Sequence, residues 1–118
     1  LATRLIENEP ITLETRVASA DIGAVGYFSR AVIVDTVGLI SPELRAYYPL
    51  DRSLIADRQN YAVPPDLIRA TQPDYLIAPE GLIRLSLLTQ DWFNAEYELI
   101  DFVPVDFYGS AIQVYRRR

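Results

Sequence analysis

Four residue types are missing from the 118-residue sequence: cysteine, histidine, methionine and lysine. Without cysteine there is no disulfide, thiolate nucleophile or thiolate zinc site. Without histidine there is no imidazole base or imidazole metal ligand, which excludes the Ser-His-Asp and Cys-His arrangements. Without lysine there is no Schiff base or amine nucleophile. The side chains left for catalysis are carboxylates, hydroxyls and guanidinium groups, so most common enzyme classes are excluded.

The charge balance is acidic, with 16 acidic residues against 11 basic residues, all of them arginine, and a net charge of -5. Because nucleic-acid binding needs a concentrated basic face, we predict no nucleic-acid partner. The one basic cluster is Arg116–Arg118, which we interpret as a solvated strand end, with contact to anionic lipid as the alternative. No run reaches the 18 apolar residues of a membrane span, so we expect a soluble chain without a span of its own.

The length fits one domain, since a chain of this size can bury about two-thirds of its surface. Short β-branched runs alternate with helix-like stretches, which is typical of α/β proteins. Strands are predicted at 15–20, 31–36, 74–78, 97–103 and 111–116. Helices are predicted at 2–8, 22–29, 42–48, 64–70 and 81–94, the last being the longest. We therefore predict a small three-layer α/β/α sandwich with about five strands, the first three parallel and the last two a C-terminal antiparallel hairpin.

A glycine-containing turn follows the first predicted strand, with Asp21, Gly23 and Gly26 in the sequence ADIGAVG. In the dinucleotide fingerprint, glycines let the backbone approach a pyrophosphate at a helix N-terminus. Here Asp21 takes the place of the first glycine, and its carboxylate would repel a phosphate. The favoured interpretation is therefore structural: Gly23 and Gly26 allow close helix–strand contact, and Asp21 caps the short helix.

Polar residues also follow the second predicted strand, where Asp35 ends the strand and Gly38 comes soon after. Ligand sites of open parallel sheets lie at such strand ends. Asp21 and Asp35 could face one crevice and act as acid and base, hold a hard cation or bind sugar hydroxyls. Capping or pairing with arginine is the favoured alternative for both. Tyr27, with other loop aromatics, suits a carbohydrate or protein surface, and half-buried packing is its alternative.

Several segments together are similar to a known type of protein. The block DIGAVGYFS at 21–29, then VDTVGLISPE at 34–43, PDYLI at 73–77 and VYR at 114–116 look like the C-terminal soluble region of bacterial polytopic membrane glycosyltransferases of the protein-mannosyltransferase-like type. The segment at 4–8 resembles the short lead-in helix there. The absence of methionine, with Leu1 first, agrees with a piece excised from such a larger membrane protein.

The resemblance implies a domain at the extracytoplasmic face of the cell membrane, next to the transmembrane region of its parent chain. The parent would use a lipid-linked sugar, with its catalytic acidic residues in the membrane part, so no catalytic residue, metal site or cofactor is expected here. We therefore predict a non-catalytic accessory domain that serves as an acceptor-docking element, lid or scaffold, with a carbohydrate or the acceptor as candidate partners. Its candidate ligand-binding residues are Asp21, Gly23, Gly26, Tyr27, Asp35 and Gly38.

Two alternatives remain open from the residues alone. The first is a stand-alone, Rossmann-like domain that binds a small ligand or nucleotide in the crevice around Gly23 and Asp35. The second is a small acid–base sugar hydrolase using Asp21 and Asp35, which requires the two carboxyl groups to face each other across a substrate.

Overall fold

The computed structural model describes residues 7–19, 31–36, 46–48, 50–104 and 111–118. These ranges contain five strands and two α-helices, together with short 3-10 turns at Arg52–Leu54 and Glu80–Leu82. In chain order the elements are β1 (Arg16–Ser19), β2 (Val32–Asp35), α1 (Pro65–Thr71), β3 (Tyr75–Pro79), α2 (Asp91–Glu96), β4 (Tyr97–Pro104) and β5 (Ala111–Arg117).

The five strands form one mixed sheet in the order β2-β1-β3-β5-β4. Strand β1 runs parallel to both of its neighbours, β2 and β3. Strand β5 lies between β3 and β4 and is antiparallel to both. The predicted α/β class and five-stranded sheet are therefore confirmed.

Strand β3 is the central strand and is buried on both of its faces. Its residues Tyr75, Leu76, Ile77 and Ala78 are at most 4% exposed. Strands covered on both faces are continuous apolar runs rather than alternating ones, because neither side meets water. This is why the run YLIA can be recognised as a strand in the sequence.

The first face of the sheet carries the larger core. Leu67 and Ile68 of α1 and Phe93 of α2 pack there against the sheet residues Ala18 and Leu76. The second face holds a smaller buried cluster formed by Val17, Tyr75, Ile77 and Val114. Both described α-helices lie on the first face, so the three-layer arrangement stays a prediction. The helices predicted at 2–8, 22–29 and 42–48 fall largely outside the described residues.

Helix α1 begins and ends where its sequence signals place it. Pro65 occupies its first turn, where the missing N–H costs no hydrogen bond, and Asp66 complements the positive end of the helix. Gln72 ends the helix in the left-handed conformation with φ 44°, and its N–H donates to the carbonyl of Ile68 at 2.9 Å. The prediction of a helix over 64–70 is thus correct to within a residue.

The prediction of one long helix over 81–94 is wrong. A 3-10 turn at Glu80–Leu82 is followed by irregular turns, and α2 starts only at Asp91. The hydroxyl of Thr89 donates to the carbonyl of Leu85 at 2.8 Å, and Gln90 has an extended backbone with ψ 123°. Such local side-chain bonds compete with helix geometry, and an extended residue stops the helix.

The apolar stripe that suggested this helix still serves the core in part. Leu82 and Leu87 are fully buried, and Leu88 and Trp92 pack at the edge of the first-face core. Leu85 is 36% exposed, so it is the member that departs from the predicted pattern. Apolar spacing alone does not distinguish a helix from a chain that turns irregularly across the same surface.

Ion pairs connect arginines at the end of β5 to carboxylates of the segment before β1, of β4 and of the residue before β3. The guanidinium of Arg116 binds Glu9 at 2.8 Å and Glu98 at 2.6 Å. Arg117 binds the carboxylate of Asp74 at 3.0 Å. The other oxygen of the Asp74 carboxylate accepts a hydrogen bond from the backbone N–H of Arg16 at 2.9 Å. The interpretation of Arg116–Arg118 as a strand end is correct, and these arginines are paired with carboxylates.

The aromatic centre of the first-face core should dominate stability. Phe93 is fully buried, stacks on Tyr97 at 4.9 Å and meets the Tyr115 ring edge-on at 5.2 Å. We predict that Phe93→Ala lowers the free energy of unfolding by about 3–5 kcal/mol in urea denaturation, because it leaves a cavity. The control Phe102→Ala removes a ring that is 53% exposed and should cost less than about 1 kcal/mol. Equal losses in the two variants would contradict this assignment of the core.

The arginine network should be visible in the titration of Glu98. The hydrogen bonds from Arg116 hold the pKa of the Glu98 carboxyl below its usual value. The stabilisation is therefore present above the ordinary carboxyl pKa and is lost as pH falls through the lowered one. We predict that Arg116→Gln raises the Glu98 pKa toward its ordinary value in an NMR titration of the carboxyl carbon. Arg84→Gln, which breaks only the pair with Glu80, should leave it unchanged.

Candidate functional site

Polar side chains lie at the carboxyl ends of the two adjacent parallel strands β1 and β2. Ser19 ends β1, and its register partner Asp35 ends β2. Thr36 follows directly, and its N–H donates to the carbonyl of Ser19 at 3.2 Å. All three residues are only 1% exposed. They form a buried polar group, the strand-end cluster, that joins the exits of the two strands.

The strand-end cluster lies beside the point where strand order reverses. The chain passes from β1 to β2 on one side, and β3 then pairs with the other side of β1. Ser19 belongs to both pairings, with Asp35 as its partner in β2 and Ile77 in β3. Open α/β sheets bind ligands in the crevice at this position, because the connections leave it in opposite directions.

Tyr48 ties the chain back onto the strand-end cluster. Its hydroxyl donates to the backbone carbonyl of Thr36 at 2.6 Å. Burial raises the pKa of Tyr48 to about 12, and the nearby Tyr61 and Asp35 add to the effect because they disfavour a tyrosinate. Tyr48 therefore remains a neutral hydrogen-bond donor across the physiological range.

Thr36 contributes a polar atom that nothing in the described part of the chain satisfies. Its Oγ1 is buried and has no hydrogen-bond partner among those residues, although its backbone N–H and carbonyl are both bonded. A buried hydroxyl left without a partner costs on the order of 1–3 kcal/mol. This hydroxyl is the one buried side-chain polar atom of the described residues whose hydrogen-bonding capacity is left unused.

Of the predicted ligand-binding residues, Asp35 lies where the sequence analysis put it, at the end of β2. Its carboxylate is buried and is not presented openly to solvent. The other predicted residues lie outside the described residues: Asp21, Gly23, Gly26, Tyr27 and Gly38. The shared crevice of Asp21 and Asp35, and the hydrolase hypothesis that depends on it, remain predictions.

The described residues contain neither a metal-binding cluster nor a membrane-spanning helix. Within residues 7–19, 31–36, 46–48, 50–104 and 111–118, no group of three or more acidic side chains is arranged to hold a metal ion. In the same ranges no helix has the length and apolar character needed to cross a membrane.

Sequence reasoning missed three members of the site: Ser19, Thr36 and Tyr48. Ser19 and Thr36 were available from the sequence, because each occupies the same strand-end position that identified Asp35. Tyr48 has no such signal, since its bond to Thr36 spans twelve positions and follows no local pattern. A small polar residue at a strand end is therefore as informative as a carboxylate there.

The contact from Tyr48 is open to a direct test. We predict that Tyr48→Phe lowers the free energy of unfolding by about 1 kcal/mol at pH 7, since it removes one buried hydrogen bond. Because the folded pKa is raised, the stabilisation is complete below about pH 10 and is lost as pH rises toward about 12. The variant should thus lose less stability than the parent over that range in urea denaturation. Tyr47→Phe is the matched control and should change neither property; a similar loss in both variants would contradict the assignment.

Comparison with known proteins gives one assignment. Neither the curated proteins nor the solved structures contain a significant match to the chain. A family model described as Domain of unknown function (DUF8728) matches residues 3–115. The matched range takes in β1 to β4, most of β5 and the strand-end cluster. The chain therefore belongs to the DUF8728 family.

Proposed function

We propose that this domain is a non-catalytic accessory domain of a membrane glycosyltransferase. It lies at the extracytoplasmic face of the cell membrane, against the transmembrane region of its own parent chain. The parent transfers sugar from a lipid-linked donor, and this domain serves as the scaffold on which the acceptor side of the enzyme is built.

The observation that carries the proposal is where the strand-end cluster falls in the sequence. Asp35 and Thr36 belong to the segment 34–43, one of the segments that resemble the soluble region of those glycosyltransferases. Both side chains are buried, and Tyr48 anchors the Thr36 carbonyl at 2.6 Å. The segment with the resemblance therefore leaves the sheet from a fixed point, as a scaffold requires.

The burial of Asp35 supports a structural role over a catalytic one. A general acid or base must come within hydrogen-bond reach of the reacting group. The Asp35 side chain is 1% exposed and already takes part in interactions within the protein. It is suited to holding the strand exit in place, which agrees with chemistry located elsewhere in the parent.

A three-layer arrangement is part of the proposal. The second face of the sheet carries Val17, Tyr75, Ile77 and Val114, all buried to 4% exposure or less. Apolar side chains of this kind need a covering layer, and amphipathic helices supply it in α/β folds. The segments predicted to be helical at 22–29 and 42–48 are our candidates for that layer.

One observation favours a second candidate function, a stand-alone domain that binds a small ligand or nucleotide. Strands β2 and β3 lie on opposite sides of β1, so the strand order reverses there. Open α/β sheets bind such ligands at a reversal of this kind. A ligand with a dissociation constant far below its concentration raises the melting temperature by mass action. Stabilisation by a nucleotide at millimolar concentration, lost in Thr36→Val, would favour this candidate.

The accessory-domain proposal can be tested by labelling, because the domain has no cysteine. Glu14 is exposed in the turn before β1, so Glu14→Cys supplies one reactive thiol at the surface. In the full-length chain expressed in its bacterial host, we predict that a membrane-impermeant maleimide labels this thiol in intact cells. The parent chain without the added cysteine gives the background, and Ser86→Cys, a nearly isosteric change at a fully buried position, is the inaccessible control.

Labelling of Glu14→Cys only after the cells are permeabilised would place the domain on the cytoplasmic side and overturn the proposal. A full-length gene without several apolar spans of about 20 residues would overturn it equally.

A further inference from the structure

A concave site whose walls do not include the strand-end cluster lies between α1 and the start of α2. It is a cavity of about 270 Å³. Its walls include the aromatic rings of Tyr47 and Trp92 and the polar side chains of Asp66, Arg69 and Gln90. Its volume lies near the lower end of the range for small-molecule sites, so it is suited to a ligand of about one ring.

The aromatic wall of this cavity is held in position by the core. Trp92 is partly buried against the first-face core, and its ring meets Phe93 edge-on at 5.9 Å between centroids. The Arg69 guanidinium lies over one face of the Trp92 ring, 5.2 Å from its centre. The indole is therefore held in position with guanidinium donors stacked over one of its faces, and Tyr47 supplies the second aromatic ring of the wall.

The polar side chains of the cavity make no hydrogen bonds or ion pairs with one another. Within the described residues, no hydrogen bond or ion pair involves the side chains of Asp66, Arg69 or Gln90, and the Arg69 guanidinium lies over the Trp92 ring. Together they offer a carboxylate acceptor, guanidinium donors and an amide that both donates and accepts. The charges of Asp66 and Arg69 cancel, so the cavity favours a neutral ligand over an anion such as phosphate.

We propose that this cavity binds a neutral saccharide ring. A pyranose presents polarised C–H groups on one face, which pack on the negative face of an aromatic ring, and hydroxyls around its edge. Those hydroxyls both donate and accept, which matches the mixed polar groups of Asp66, Arg69 and Gln90. This inference concerns a different site from the strand-end cluster and does not depend on the accessory-domain proposal.

The protein supplies its own probe for this test, because Trp92 is the only tryptophan in the chain. We predict that methyl α-D-mannopyranoside or methyl β-D-glucopyranoside changes the tryptophan fluorescence in a saturable way. The dissociation constant should be about millimolar, since one small ring makes few contacts. Glycerol, which has hydroxyls without a ring face, and inorganic phosphate should give no saturable change.

Two variants then assign the site. Asp66→Asn should weaken binding about tenfold, because it removes the charged acceptor of a hydrogen bond. Asp91→Asn is the matched control: both aspartates lie exposed in the first turn of a helix, but Asp91 does not line the cavity, so its affinity should stay within about twofold. Circular dichroism of both variants checks that they fold.

The outcomes divide clearly. Saturable binding of either glycoside that Asp66→Asn weakens and Asp91→Asn leaves intact supports the proposal. The proposal would be overturned if neither glycoside saturated the signal up to about 100 mM, a hundred times the expected dissociation constant. Saturation by phosphate, or an equal loss of affinity in both variants, would overturn it as well. The cell-labelling experiment reads the side of the membrane and not sugar binding, so the two proposals can fail separately.

Discussion

The central position of strand β3 is the constraint on which the rest of this structure depends. It pairs in parallel with β1 on one side and antiparallel with β5 on the other. Its residues also supply both cores, with Leu76 and Ala78 on the first face and Tyr75 and Ile77 on the second. Because register fixes which side chains reach which face, the pairing of β3 decides the position of everything that packs on the sheet.

The strand-end cluster and the cavity both follow from this central strand. The parallel side of the sheet brings the ends of β1 and β2 to one edge, where Ser19, Asp35 and Thr36 collect. On the first face, α1 and α2 pack over the sheet and leave the aromatic cavity with Trp92 between them. One framework therefore presents a buried, structural polar cluster and an open cavity with unpaired polar groups. The first is suited to holding a chain segment, and the second to receiving a ligand.

The sequence predicted those parts of the fold that depend on local pattern. The apolar run before Pro79 is a strand, because a strand buried on both faces needs apolar residues at every position. The Pro-Pro-Asp sequence begins α1, because proline and aspartate are favoured in the first turn of a helix. The stretch 81–94 was mispredicted because its apolar spacing fits a helix, while the bond from Thr89 and the extended Gln90 interrupt it. Local pattern gives the buried face of a segment more surely than its backbone path.

The candidate sites divide in the same way. Asp35 was found because strand ends are known ligand positions, whereas Tyr48 reaches Thr36 through a contact that no spacing rule encodes. The cavity was missed entirely, since Tyr47, Arg69 and Trp92 come from three separate segments and meet only in the folded chain. Each is unremarkable in the sequence, and their shared chemistry exists only in three dimensions.

The central claim is that this domain works as part of a membrane glycosyltransferase, and a structure of the full-length chain in a lipid nanodisc tests it most directly. The account predicts a bundle of apolar helices in the lipid, with this five-stranded sheet on its extracytoplasmic side and the ends of β1 and β2 facing the bundle. A full-length chain without membrane helices, or one whose sheet lies on the cytoplasmic side, would contradict it.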